Sequence, residues 1–254
     1  MADTKISALT AIVGASLADD DEFVVVDTSS GATLRITRAE LHAGLVSGYF
    51  ASQAEAEAGT NTTKVMTPER TKQAIDALAT QGLEHISTAT ISSDATVDFT
   101  AFDATKYLGY LFQFSNVVPQ TDNVQLRMRT SADGGSNYDS GASDYASAAR
   151  RGVSNGTTSD LSDGADSSMR ISVFTDNGAN EDGVSGHLIL PGPDLTKRTS
   201  ANWQVSWFDT SGNYSFSAGG GARLSSAAVD AVRFFFSSGN LASGEISMFG
   251  IRGA

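Results

Sequence analysis

Cysteine is absent from the 254-residue chain. Its absence removes disulfides, thiolate metal sites and cysteine nucleophiles together. Long apolar runs are absent too. No segment approaches the ~18–20 unbroken apolar residues of a membrane span, so no membrane insertion is expected. Positive charge is scarce: 17 Lys and Arg face 29 Asp and Glu, for a net charge of −12. Affinity for nucleic acid comes largely from Lys and Arg displacing counterions, so no nucleic-acid partner is expected either. Charged residues of both signs reach only 18%, below the ~25% of an average domain. Gly, Ser, Thr, Ala, Asn and Asp fill the gap, a mixture that suits short strands joined by tight turns. The opening MADTKISALT lacks the charged-then-apolar pattern of a signal peptide, and synthesis in a cytoplasm is expected.

Residues able to do chemistry are also thin. His42, His85 and His187 lie in three different segments, and none stands four residues from another as a paired-imidazole metal site requires. Gly183-Val184-Ser185-Gly186-His187 is only a near miss to a nucleophile elbow. Gly219-Gly220-Gly221 lacks the Lys-Ser that would make it a phosphate loop. Asp160, Asp163 and Asp166, and the stretch from Asp176 to Asp182, offer oxygen ligands for a hard cation such as Ca2+. Neither has the alternating ligands and terminal glutamate of a calcium loop. No enzyme and no cofactor is expected. A carboxylate pair for glycoside cleavage meets in space rather than in sequence, which keeps a polysaccharide depolymerase as the least favoured reading.

The residues present divide into three segments. Residues 1–46 contain KISALTAIVG, then a hairpin: Phe23, Val24, Val25 and Val26 on one strand, Ser29-Ser30-Gly31 at the turn, Leu34 and Ile36 on the other strand. Thr37 and Glu40 have capping-box spacing, and a helix through Leu41 and Leu45 should follow. Residues 47–85 read as a helical connector. Ser52 and Glu55 form a second capping box, Gly59 closes that helix, and Thr67-Pro68 opens another that runs to about Thr80. Thr71, Ile75, Leu78 and Gly82 are spaced 4-3-4, a narrow seam suited to a threefold axis or to packing on the helix's own domain. Val97, Phe99 and Phe102 lie just beyond and extend that oligomer contact.

Residues 86–254 have period two almost throughout, in YLGYLFQF, NVQLRMRT, SMRISVF, SGHLILP, NWQVSWF, AVRFFF and GEISMFGI. Asp133-Gly134, Asn155-Gly156, Asp163-Gly164, Asn177-Gly178, Asp182-Gly183, Ser211-Gly212 and Ser238-Gly239 separate them as turns. About ten strands so spaced predict a β-sandwich or jelly roll. The stretch 131–167 reads as projecting loops with one weak strand near Tyr145. Trp203 and Trp207, four apart on one strand face, belong in the core. Tyr138 and Tyr145, with Asp133 and Asn137 beside them, are the surface candidates for glycan: aromatic faces stack on sugar rings and polar loops bond the hydroxyls. The fold class is therefore mainly β: a small hairpin–helix attachment unit, a short helical connector and a C-terminal jelly-roll-like sandwich.

Several of these segments resemble one family. Lys5-Ile6-Ser7 with EFVVVD and the following helix start is similar to the N-terminal segment of tailed-phage fibre proteins. ASQAEAEAGTNTTKVMTPERT resembles the short A-x-x-x-E-A-x-A-G-T-x-x-x-K-x-M-T-P-x-R-T segment of such fibres. SSGNLASGEISMFGIRG resembles the closing strand of a recurring phage structural module, with Phe249 where tyrosine is usual. The resemblance covers the first third of the chain and its tail. It implies a virion protein released by lysis, a homotrimer, attached to other virion proteins through residues 1–46, with a C-terminal β-domain that meets bacterial surface glycan. One copy of the connector suits a short fibre, head fibre or spike. The alternative is a capsid decoration or tail adaptor whose contacts are purely structural.

Overall fold

The computed structural model describes residues 18, 20, 22–27, 31–78, 82–178 and 181–253. The KISALTAIVG opening and the Ser29-Ser30 turn lie outside the described residues. The chain forms two compact units, Met1–Thr80 and Gln81–Ala254.

In the first unit, β1 (Glu22–Asp27) pairs antiparallel with β2 (Ala32–Thr37). Helix α1 (Arg38–Tyr49) starts on the expected capping box. The Thr37 Oγ1 accepts the Glu40 N–H at 3.1 Å, and the Glu40 carboxylate accepts the Thr37 N–H at 2.8 Å. Helix α2 (Gln53–Ala58) opens on the Ser52–Glu55 box and closes at Gly59, whose φ of 63° is left-handed. Glycine reaches that conformation without a Cβ clash. Helix α3 (Pro68–Leu78) is capped by the Thr67 hydroxyl, which accepts the Arg70 N–H at 3.2 Å. Between the helices the chain doubles back: Ala51 N–H donates to Val65 O at 3.0 Å, and Val65 N–H to Tyr49 O at 2.6 Å. Ala51, Ala56 and Ala74 are the buried side chains of this clasp. Small residues there let α2 and α3 approach closely, which accounts for the alanine-rich sequence.

The second unit is a sandwich of two antiparallel sheets. The larger has nine strands in the order β3 (Gly82–Asp94), β15 (Leu241–Arg252), β5 (Tyr107–Pro119), β11 (Val184–Pro191), β12 (Ser200–Phe208), β13 (Tyr214–Arg223), β7 (Tyr145–Val153), β8 (Thr158–Asp160), with β9 (Asp163–Asp166) also on β7. The smaller runs β10 (Met169–Arg170), β6 (Leu126–Ser131), β14 (Ala231–Phe236), β4 (Val97–Phe99). Alternate residues face inward, as period two demands. Phe112 and Phe114 of the large sheet meet Phe99 and Phe234 of the small one in edge-to-face contacts of 5.2–5.4 Å, the geometry aromatic quadrupoles favour. Trp203 and Trp207 are buried in the same core.

The structure revises several expected boundaries. Position 46 falls inside α1 and position 85 inside β3, and α2 and α3 belong to the first unit. SMRISVF is a strand only at Met169–Arg170; beyond it the N–H groups of Ile171 and Ser172 both donate to Leu126 O, and the ladder ends. Tyr145–Val153 is no weak loop strand but a nine-residue member of the large sheet. Of the expected turn glycines, 134, 156, 183, 212 and 239 have positive φ. Gly164 instead lies in β9.

Candidate functional site

The large sheet has two ends. The entry end is where β3 begins: Gly82, Arg252 and Tyr107 lie on neighbouring rungs. Loops 100–106, 131–144, 192–199 and 224–230 gather there. The far end carries the turns at 95–96, 120–125, 154–157, 209–213 and 237–240, with the 171–183 segment.

The glycan candidates all fall at the entry end, and the loop closes on them. Asp133 accepts the Asn137 N–H at 2.8 Å and the Asn137 amide at 2.7 Å, and the Ser131 hydroxyl donates to it at 2.7 Å. These bonds, Asn137 foremost, hold its carboxyl down to about 2. Both side chains thus serve the loop itself. Tyr138 is half-buried, its ring 4.1 Å from the Arg233 guanidinium, which pairs through two nitrogens with Asp98 at 2.6 and 2.7 Å. Burial, then the Asp98 charge, pushes the Tyr138 phenol up to about 12. Tyr145 is corrected outright: it is fully buried, and its hydroxyl accepts the Thr130 N–H at 2.8 Å. An inward-facing strand position removes it from any surface role.

The expected oligomer residues also separate. Thr71 is exposed on α3 and Ile75 is 60% exposed. The Leu78 side chain lies outside the described residues. Val97 and Phe99 are corrected: β4 turns both into the chain's own core, at 6% and 4% exposure. Phe102 is half-buried with its ring 4.2 Å from Tyr110.

At the far end, sequence reasoning singled out the Asp176–Asp182 stretch but missed Phe174. Met169, Ile171, Ser172 and Val173 are buried, and the next side chain, Phe174, stands 49% exposed. A bulky residue at positive φ is a strained outlier. Its ring lies 5.2 Å from the buried Arg151 guanidinium. Tyr214 is 47% exposed, and its ring meets Phe208 edge-on at 6.0 Å. A shallow cavity of 90 Å³ is lined by Tyr214 and Phe208 with Asp182, Gly183, Ser185 and Ser206. The adjacent apolar pair Val173-Phe174, of which only one can face inward on a strand, was the available signal.

Carboxylates also collect at this end. Asp122 lies within hydrogen-bond reach of Asp176, which raises its pKa, and burial followed by Asp176 raises that of Glu181. Burial works against Asp176, but bonds from Asp122 and the Asn177 N–H leave its pKa lowered. Carboxylates this close differ from the ~5–9.5 Å pairs of glycosidases. Among the described residues no group of three or more His, Cys, Asp or Glu is arranged to hold a metal ion. Asp160 pairs instead with Arg150 at 2.9 Å, and Asp166 with Arg127 at 3.1 Å.

A second cavity sits at the entry end. It measures 240 Å³ and is lined by Phe102, Tyr107, Tyr110, Pro193, Asp194 and Asp230, among others. A bulge places both tyrosines inward: Gly109 pairs with Ile251 and Tyr107 with Arg252, leaving Leu108 between them. No family model, no curated protein and no solved structure matches the chain.

Proposed function

We propose that this chain is a short fibre or spike protein of a tailed phage, whose sandwich touches host surface glycan through its far end. The observation that carries the adsorption role is Phe174, held exposed at positive φ over Arg151. Beside the same end stand the half-exposed Tyr214 and the acceptor groups of Asp176, Glu181 and Asp182. Exposed rings give stacking faces for sugars, and carboxylates accept from sugar hydroxyls. The family likeness of residues 51–75 supports the phage assignment. In the first unit, Tyr49 at 60% exposure, Phe50 at 40%, Val65 at 54% and Met66 at 39% offer an apolar surface for another virion protein. Trimerisation through α3 belongs to the same reading, with Thr71 and Ile75 as its described contacts.

Particles whose copies lack residues 82–254 are expected to stop adsorbing to host cells, and Phe174→Ser with Tyr214→Ser in the full chain to do the same. Normal adsorption in both cases overturns the reading. Loss of particle integrity with adsorption unchanged favours the decoration or adaptor role. Light scattering on the full chain is expected to give three times 26.4 kDa; a monomer removes the trimer.

A further inference from the structure

We infer that the 240 Å³ cavity at the entry end binds a compact organic ammonium group. Its volume is below the roughly 300–1,000 Å³ of pockets for drug-sized ligands, so the ligand is small. Its walls are the rings of Phe102, Tyr107 and Tyr110, and neither Lys nor Arg lines it. Tyr107 and Tyr110 stand edge to face at 5.7 Å, and Phe102 tilts against Tyr110 at 4.2 Å. Together they make a continuous aromatic wall, rigidly placed because both tyrosines are core residues at 7% and 1% exposure.

The charged groups lining the cavity are both acids, Asp194 and Asp230. Asp194 is exposed at the rim. Asp230 is anchored by its backbone, whose N–H donates to Ser131 O at 3.0 Å. Its Oδ1 is buried and has no hydrogen-bond partner in the protein. That oxygen is closed off from solvent, so Asp230 offers a cavity ligand its negative charge and its other, lining atoms. The Tyr110 hydroxyl is already engaged, accepting the Asp103 N–H at 2.5 Å. Lys106, the nearest cation in sequence, reaches Glu84 at 2.7 Å and lies 5.1 Å from the Tyr107 ring centroid. An aromatic wall with carboxylates at its edge is complementary to a positive group of low hydration. An anionic sugar or a phosphate meets two like charges here.

The site is separate from the far end and does not depend on the fibre reading. The ammonium can come from an amino sugar, a choline-type headgroup or a lysine side chain. The full chain is titrated calorimetrically with choline, n-butylammonium and glucosamine, each against a neutral counterpart: 3,3-dimethylbutanol, n-butanol and N-acetylglucosamine. At least one cation is expected to bind at least about tenfold more tightly than its counterpart, and the best of the three names the source. Asp230→Asn, which keeps the backbone bond and the shape, is expected to weaken that cation by about tenfold or more. Tyr107→Leu is the second variant, with tryptophan fluorescence confirming the folded sandwich. Equal affinity for cation and neutral counterpart, no saturation by any of the three cations, or an unchanged Asp230→Asn variant overturns the proposal.

Discussion

The Arg151 guanidinium donates to the Asp209 carboxylate at 2.6 Å inside the sandwich, with less than a tenth of either side chain exposed. Arg151 comes from β7, and Asp209 from the end of β12. Asp209 also accepts the N–H groups of Ser211 at 3.0 Å and Asn213 at 3.1 Å, so one carboxylate both shapes the β12–β13 turn and neutralises the buried cation. Burial acts to raise its pKa, but these bonds and Arg151 leave it lowered. Asp209→Ala strands a buried charge and is expected to cost about 3–5 kcal/mol. Urea unfolding followed by tryptophan fluorescence checks it. Both tryptophans lie in β12, so the signal reports the sandwich alone.

Tyr145→Phe tests the buried role of that residue. The variant keeps the ring and removes the acceptor of the Thr130 N–H. An unsatisfied buried amide costs about 1–3 kcal/mol, read in the same unfolding experiment. Adsorption of folded particles is expected to be unchanged.

Gly219→Val tests the glycine run in β13. A Cβ at Gly219 would sit 2.2 Å from the Ala149 Cβ on the neighbouring β7. Overpacking of this kind costs about 1–3 kcal/mol or more. Gly164→Ala is the control, since a Cβ there meets nothing within 4 Å; its unfolding midpoint is expected to stay near wild type. Similar losses in both variants would falsify the close-approach account.

The acidic cluster makes a pH-dependent prediction. An acid whose pKa is raised on folding stabilises the fold below its ordinary value, and that contribution is lost as pH rises through the raised value. Asp122, ordinarily at 3.8, is such an acid, because of Asp176. Asp122→Asn is therefore expected to raise the thermal midpoint at about pH 7 and to leave it unchanged at about pH 3. The same gain at both pH values would show that charge is not the cause.

Much of the sandwich was legible because inward and outward positions alternate along most of its strands. Val124, Leu126 and Met128 are buried, while Gln125 and Arg127 between them are not. Both described capping boxes were equally legible, since their chemistry is local. What failed depended on contacts between distant residues. Nothing near Tyr145 in sequence announces that Thr130 of β6, in the facing sheet, will meet its hydroxyl. Val97 and Phe99 read as a surface contact until β14 is known to pair with β4. The aromatic cavity needs a bulge opposite Arg252, more than a hundred residues away in the chain.

The antiparallel rungs give the sandwich a direction under load. Gly82 and Arg252 face each other at one end, and β3 stays bonded to β15 from there to Asp94 and Leu241. Inter-strand hydrogen bonds lie perpendicular to the strands. Tension applied between Gly82 and Arg252 would peel these rungs open singly, like a zip. Tension between Gly82 and a surface gripped at Phe174 runs along the strands, so the rungs share it in shear. Under the proposed adsorption role, a sandwich held at its far end would thus be strongest in the direction in which a tethered particle pulls.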